Sequence, residues 1–216
     1  MTAPTAGMPN LLFIMSDDHA AHAISAYGSR INQTPHLDRI ANNGIRFDAA
    51  FCTNSICTPS RAAILTGTYN HVNGATTLDT PLDNRQWTFP QSLQDAGYTT
   101  GIIGKWHLGH GPGADPVGFD FWRILPGQGH YDNPVMLEEG GRIVERAGYV
   151  TDLITDYCID FIDRVCLSVN GNSTTPTTMS IPKLERYEGL MSMKICPRRA
   201  PIMAIGTSSM INNGWT

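Results

Sequence analysis

The strongest constraint on this chain is Leu11-Leu12-Phe13-Ile14-Met15, a continuous apolar run that ends abruptly in Ser16-Asp17-Asp18. A run with no polar alternation is expected of a strand buried on both faces in a parallel sheet. Carboxylates just past the carboxyl end of such a strand lie where open α/β sheets place their ligands. Adjacent acids repel unless a cation sits between them, so the pair suits a hard divalent ion with oxygen ligands. Taken alone, the same two residues read equally well as a turn or a helix cap.

The following segments alternate helix and strand signals. Thr34-Pro35-His36-Leu37-Asp38-Arg39-Ile40-Ala41-Asn42-Asn43-Gly44 carries a Thr cap, Pro at its first position and Gly at its stop, which predicts a helix with Leu37, Ile40 and Ala41 inward. Ile45–Phe51 is expected to return as a strand, completing a strand–helix–strand unit. Pro59, Ser60 and Gly67 then frame a short helix with Cys57 at its mouth, facing unpaired N–H groups and the positive end of the helix dipole, where an anion would bind. Thr88–Ala96 reads as a helix stopped by Gly97, and Tyr98–Ile103 as a strand with Lys105 and His107 just beyond it. Asp115–Pro134 shows no regular period and is expected to be a loop at the pocket rim, where Trp122 and Tyr131 pack beneath the loop rather than stack on a ligand. Val150, Leu153, Ile154, Tyr157, Cys158, Phe161 and Ile162 recur at helical spacing, an amphipathic helix covering the sheet.

Cys57-x-Pro59-Ser60-Arg61 resembles the sulfatase signature, in which a modifying enzyme oxidises the cysteine to formylglycine. Asn10–His19 and Gly97-Tyr98-x-Thr100-x3-Gly104-Lys105-x-His107 match two further stretches of the same family, in the family's order. The resemblance implies an α/β fold with a mostly parallel sheet flanked by helices, as in alkaline phosphatases and sulfatases, here truncated. It implies a sulfuric ester hydrolase in which Asp17, Asp18 and modified Cys57 hold Ca²⁺, with Mg²⁺ as the other candidate. It also implies that Arg61 holds the formylglycine hydrate, Lys105 binds the sulfate and His107 contacts a formylglycine hydroxyl. The implied partners are a sulfated sugar or other sulfate ester and the formylglycine-generating enzyme. The loop after Gly118 looks like the branch acting on sulfated amino sugars. His19, His22 and His71 have weaker claims to the pocket. The competing readings are an inactive truncated sulfatase-like fragment or binding module that holds a sulfated sugar without cleaving it, and a phosphomonoesterase or phosphonate hydrolase of the same superfamily.

Composition narrows the partners. With 216 residues, 41% hydrophobic, 16% charged and a net charge of −4, the chain has an ordinary globular make-up and no basic footprint for nucleic acid. No apolar stretch reaches the length of a transmembrane helix. Residues 1–9 read as an N-terminal tail without the regions of a secretory signal, which predicts the cytoplasm, or a periplasmic or secreted site if the start is mis-called. Cys52, Cys57, Cys158, Cys166 and Cys196 show no paired framework, so reduced thiols are expected. Residues 10–164 read as the N-terminal part of a sulfatase catalytic domain. Residues 165–216 read as an atypical tail, as if the reading frame had shifted around Ser173–Thr178 and Leu190–Ile195.

Overall fold

The computed structural model describes residues 8–168 and 202–209. Its centre is a six-stranded sheet built from β1 (Leu11–Asp17), β2 (Thr99–Lys105), β3 (Phe121–Leu125), β4 (Val135–Glu138), β5 (Arg142–Glu145) and β6 (Ile202–Ser209). The order across the sheet is β1-β6-β2-β3-β4-β5. β1, β6, β2 and β3 run parallel, whereas β4 and β5 are antiparallel additions at the far edge. The mostly parallel α/β sheet expected from the sequence is therefore present, and all four parallel strands end at one edge.

The sheet is sandwiched between helices α2 (Cys57–Thr66) and α4 (Phe89–Asp95) on one side and α5 (Val150–Ser168) on the other. β2 shows why it sits centrally: Ile102 belongs to the cluster with Ala62, Leu65, Trp106 and Trp122, while its neighbour Ile103 joins Val150, Leu153, Ile154 and Phe161. Successive side chains of a strand point to opposite faces, so one apolar run serves both layers. Gly101 lets α5 approach: a Cβ there would lie 2.7 Å from the Phe161 ring.

Helix ends follow local chemistry. Thr88 caps α4 in a reciprocal capping box with Gln91, and Gly67 ends α2 in the left-handed conformation at φ 66°. α1 (Pro35–Asn43) starts at Pro35 after Thr34 and stops at Gly44 as expected. Its inner face is thinner than predicted, because Ile40 is 55% exposed.

Ile45–Phe51 is not a strand, and the strand–helix–strand unit does not form there. The segment crosses the surface with Ile45, Phe47 and Phe51 exposed. Local bonds claim its polar groups: Tyr27 donates to Phe47 O at 2.9 Å, and the Arg46 guanidinium reaches both Asp48 and Ala26 O. Such side-chain bonds offer the backbone an alternative to a ladder.

Asp115–Pro134 is likewise not all loop. Phe121–Leu125 forms β3, and Trp122 is core; its neighbours on either side had hidden a five-residue strand. Ile202–Ser209, inside the stretch read as an atypical tail, supplies β6 between β1 and β2. Ser173–Thr178, Leu190–Ile195 and Cys196, on which the frame-shift reading rested, lie outside the described residues.

Candidate active site

Asp17 closes β1 and Lys105 closes β2, so parallel pairing through β6 brings both to the carboxyl edge of the sheet. Lys105 Nζ donates to Asp17 Oδ2 at 2.7 Å. Arg61, one turn into α2, donates to the same oxygen from Nη2 at 3.1 Å and to Lys105 O from Nη1 at 2.7 Å. Both cations are buried, with side chains 3% and 6% exposed. A carboxylate with two buried cationic partners is held in one place, because removing any one member strands the others away from water.

Cys57, the first residue of α2, lies in the middle of this cluster. Its Sγ is 3.6 Å from each Asp17 carboxylate oxygen and 3.6 Å from Lys105 Nζ. The α2 amino terminus carries Cys57 as its first residue, after Ile56 in extended conformation with no side-chain cap. Position 57 thus meets an ammonium group and a helix dipole together, with a guanidinium sharing its carboxylate neighbour.

Burial raises the Asp17 pKa, but its hydrogen bond to Lys105 and the charges of Lys105 and Arg61 outweigh this and hold the carboxyl below its ordinary value. Burial lowers the Arg61 pKa against the opposing pull of Asp17; a guanidinium remains charged all the same. For His107, burial and then the charges of Lys105 and Arg61 push the pKa below the ordinary value, opposed by Asp17 and Asp79. His107 is held by its backbone: its carbonyl oxygen lies 2.7 Å from Thr58 Oγ1, and its φ of 53° is in the left-handed region. Its Nδ1 is buried without a partner among the described residues.

The structure thus gathers Asp17, Cys57, Arg61 and Lys105 into direct contact and sets His107 beside them. Asp18 stands apart: it is exposed, with φ 57°. Asp17, Asp18 and Cys57 do not make a three-membered donor group, and no such group of His, Cys, Asp or Glu occurs among the described residues. Among the described residues His19 bonds locally, to Ser16 Oγ at 3.2 Å, and His71 stacks on Tyr69 at the surface.

Two contributors escape sequence reasoning. Gln128 accepts a hydrogen bond from Lys105 Nζ at 2.6 Å, and Thr58 holds the His107 and Leu78 carbonyls at 2.7 and 3.0 Å. The only available signal for Gln128 was a carboxamide in the Gly-rich turn after Leu125, and that turn becomes informative once β3 is known to lie beside β2.

A family model described as Sulfatase matches residues 9–181. The chain belongs to the sulfatase family. It is 43% identical over 201 residues to an N-acetylglucosamine-6-O-sulfatase of Bacteroides thetaiotaomicron, a match covering 89% of this chain and 35% of that protein. It is 39% identical over 144 residues to the N-acetylgalactosamine-6-sulfatase of Rattus norvegicus, covering 59% of this chain and 28% of that protein. Among solved structures it superposes at a TM-score of 0.72, with 38% identity, on a protein in complex with its substrate D-glucosamine-2-N,6-O-disulfate. That match covers 92% of this chain and 34% of the other. The chain therefore spans about a third of the length of the relatives it matches.

Proposed function

We propose that this sulfatase-family chain carries the nucleophile and the sulfate-binding cations of an enzyme that hydrolyses sulfate esters of amino sugars. The observation that carries this reading is the approach of Cys57 Sγ to Lys105 Nζ at 3.6 Å, with Arg61 and Lys105 both anchored on Asp17. Two fixed cations near one reacting position suit an anionic group whose oxygens gain charge in the transition state, and a preorganised site stabilises that charge without rearrangement. The choice of amino sugars follows the relatives, which act on N-acetylglucosamine and N-acetylgalactosamine sulfates according to their names.

The reading takes position 57 as formylglycine, installed by a formylglycine-generating enzyme. Hydrated, that aldehyde supplies one hydroxyl to attack sulfur and a second to expel sulfate. A thiol has no second hydroxyl for the expulsion step. In this scheme Lys105 neutralises a sulfate oxygen, Arg61 steadies the oxygens of residue 57, and the depressed pKa of His107 keeps its imidazole neutral at pH 7 as a hydrogen-bond partner.

The donor chemistry of the site fits a hard divalent cation on one side only. Asp17 keeps Oδ1 free of Lys105 and Arg61, Asp18 adds a second carboxylate, and an oxygen at position 57 adds a third donor. Ca²⁺ takes six to eight oxygen ligands and Mg²⁺ six, so the remaining ligands come from outside these three residues. The ion would supply positive charge to the sulfate oxygens.

The test is co-expression of the full chain with a formylglycine-generating enzyme. Mass spectrometry should show the Cys57 peptide lighter by about 18 Da. Sulfate release from N-acetylglucosamine 6-sulfate should exceed phosphate release from the matching phosphate ester and vanish in Cys57→Ala. Turnover retained by Cys57→Ala, or preference for the phosphate ester, rejects the proposal. Sulfate-ester binding without turnover by the modified chain would make it a binding module.

A further inference from the structure

Gln128 is exposed and the Lys105 side chain is buried, yet Lys105 Nζ donates to Gln128 Oε1 at 2.6 Å. An ammonium group has donors and no acceptor, so the carboxamide can present only its oxygen to it, and the orientation of the amide is fixed. Hydrogen bonds from a charged donor are shorter and stronger than neutral ones.

The backbone delivers Gln128 to this place. Leu125 is the register partner of Lys105 in the parallel pair of β2 and β3, so the two strands reach the carboxyl edge together. Pro126 follows the last residue of β3 and has no N–H with which to extend the ladder. Gly129 N–H then donates to Pro126 O at 3.0 Å, closing a four-residue turn with Gly127 at φ 55° in its second position. The turn lies down on the end of its own strand: a Cβ at Gly129 would lie 3.1 Å from Cβ and from both Cδ atoms of Leu125. Gln128 is thereby held just past the end of the strand beside β2, within reach of the lysine.

Lys105 Nζ donates to Asp17 Oδ2 at 2.7 Å and to Gln128 Oε1 at 2.6 Å, with Cys57 Sγ 3.6 Å away. One acceptor leaves an ammonium group able to turn about that bond, whereas a second acceptor on a different element fixes the directions of its donors. Asp17 on β1 and Gln128 beyond β3 hold the ammonium from two sides, with position 57 before it.

The charge of the acceptor matters as much as its place. Arg61 and Lys105 against Asp17 leave the cluster with one positive charge. A carboxylate at position 128 would accept the same hydrogen bond and cancel that charge. A carboxamide accepts the bond and leaves the charge in place.

We infer that Gln128 is a positioning residue of this site, a neutral acceptor that aims the Lys105 ammonium at residue 57 while preserving the net positive charge of the cluster for a bound anion. That the anion is a sulfate rests on the sulfate-ester reading given above, and the aiming of Lys105 does not.

The test uses the full, unmodified chain with two variants at this exposed position. Gln128→Met keeps the length of the side chain and removes the acceptor, and Gln128→Glu keeps the acceptor and adds a charge. Proton exchange of the Lys105 ammonium with water is read by nitrogen-detected NMR, its signal assigned by its loss in Lys105→Arg. The exchange should rise about tenfold in Gln128→Met, as a hydrogen bond to a charged group is lost, and stay near wild type in Gln128→Glu. Isothermal titration with inorganic sulfate should show affinity falling about tenfold in Gln128→Met, and further in Gln128→Glu although that variant keeps the bond, because attraction follows the local charge. A packing role alone would leave the ammonium signal unmoved. Unchanged exchange in Gln128→Met, or sulfate affinity in Gln128→Glu as high as that of a sulfate-binding wild type, overturns the inference. Gln128-dependent exchange in a wild-type chain that does not take up sulfate upholds the positioning and rejects the sulfate reading instead.

Discussion

Lys105 Nζ and Asp17 Oδ2 meet at 2.7 Å although they are 88 residues apart and their strands are not neighbours. β6 lies between β1 and β2, so the contact spans two strand spacings, about 9.5 Å. The lysine bridges this because both strands end at the same edge, where the long side chain of one terminal residue can cross over the end of the intervening strand. The hydrogen bond therefore reports that β1, β6 and β2 are assembled in register.

Lys105→Ala should be strongly destabilising. It leaves the Asp17 carboxylate with Arg61 alone in a site where the lysine side chain was 3% exposed. Breaking a buried pair by removing one partner costs roughly 3–5 kcal/mol. Denaturant unfolding of the variant should show the midpoint shift, and a loss under about 1 kcal/mol would mean that the pair is solvated.

Stability should fall in two stages as pH drops. Folded His107 has a pKa below 6.5, so under that pH the unfolded chain takes up a proton that the folded chain does not, and the native state loses ground. Asp17, with a folded pKa below 3.8, contributes stability that is complete above 3.8 and is lost as pH falls through its folded value. His107→Asn, which keeps a residue tolerant of positive φ, should remove the first limb and retain the second. Thermal melts between pH 7.5 and pH 3 measure both.

Gly101→Ala should loosen α5. The added methyl group would meet the Phe161 ring at 2.7 Å, and overpacking of this kind costs typically about 1–3 kcal/mol. The double variant Gly101→Ala, Phe161→Leu should recover part of the loss in a double-mutant cycle, whereas strict additivity would place the strain elsewhere.

Thr58→Val should cost about 1–3 kcal/mol, because the isosteric side chain leaves two carbonyls short of their donor. Thr58→Ser, which keeps the hydroxyl, should stay near wild type. Equal stability of the two variants would show that the hydroxyl is not what holds Leu78 and His107.

Much of the site could be read from the chain because its elements are bounded by local chemistry. The apolar run Leu11–Met15 forms β1 as expected, but it is not buried on both faces: β1 is at the end of the strand order among the described residues and leaves Leu11, Phe13 and Ile14 exposed, with Asp17 as its last residue. Cys57 begins α2 because the backbone leaves its extended course there, and Gly67 ends it because glycine reaches positive φ without strain. The loss of period at Asp115–Pro134 concealed β3, since five residues are too few for alternation to stand out from the flanking glycines and prolines. Ile45–Phe51 had the apolar spacing of a strand, but Arg46 and Phe47 found partners within the surface segment.

The sequence by itself determined that Asp17, Cys57 and Lys105 stand at or near the ends of β1, α2 and β2, because capping and backbone freedom act over a few neighbours; the exact ends moved, with β2 running two residues past Ile103 to include Lys105 and α2 starting at Cys57 rather than Pro59. Only the tertiary structure decided that Asp17 would satisfy both Lys105 and Arg61, that Gln128 would reach Lys105, and that β6 would enter between β1 and β2. Strand order and register depend on contacts between residues far apart in the chain, whose closure entropy and packing are settled by the whole assembly rather than by any local pattern.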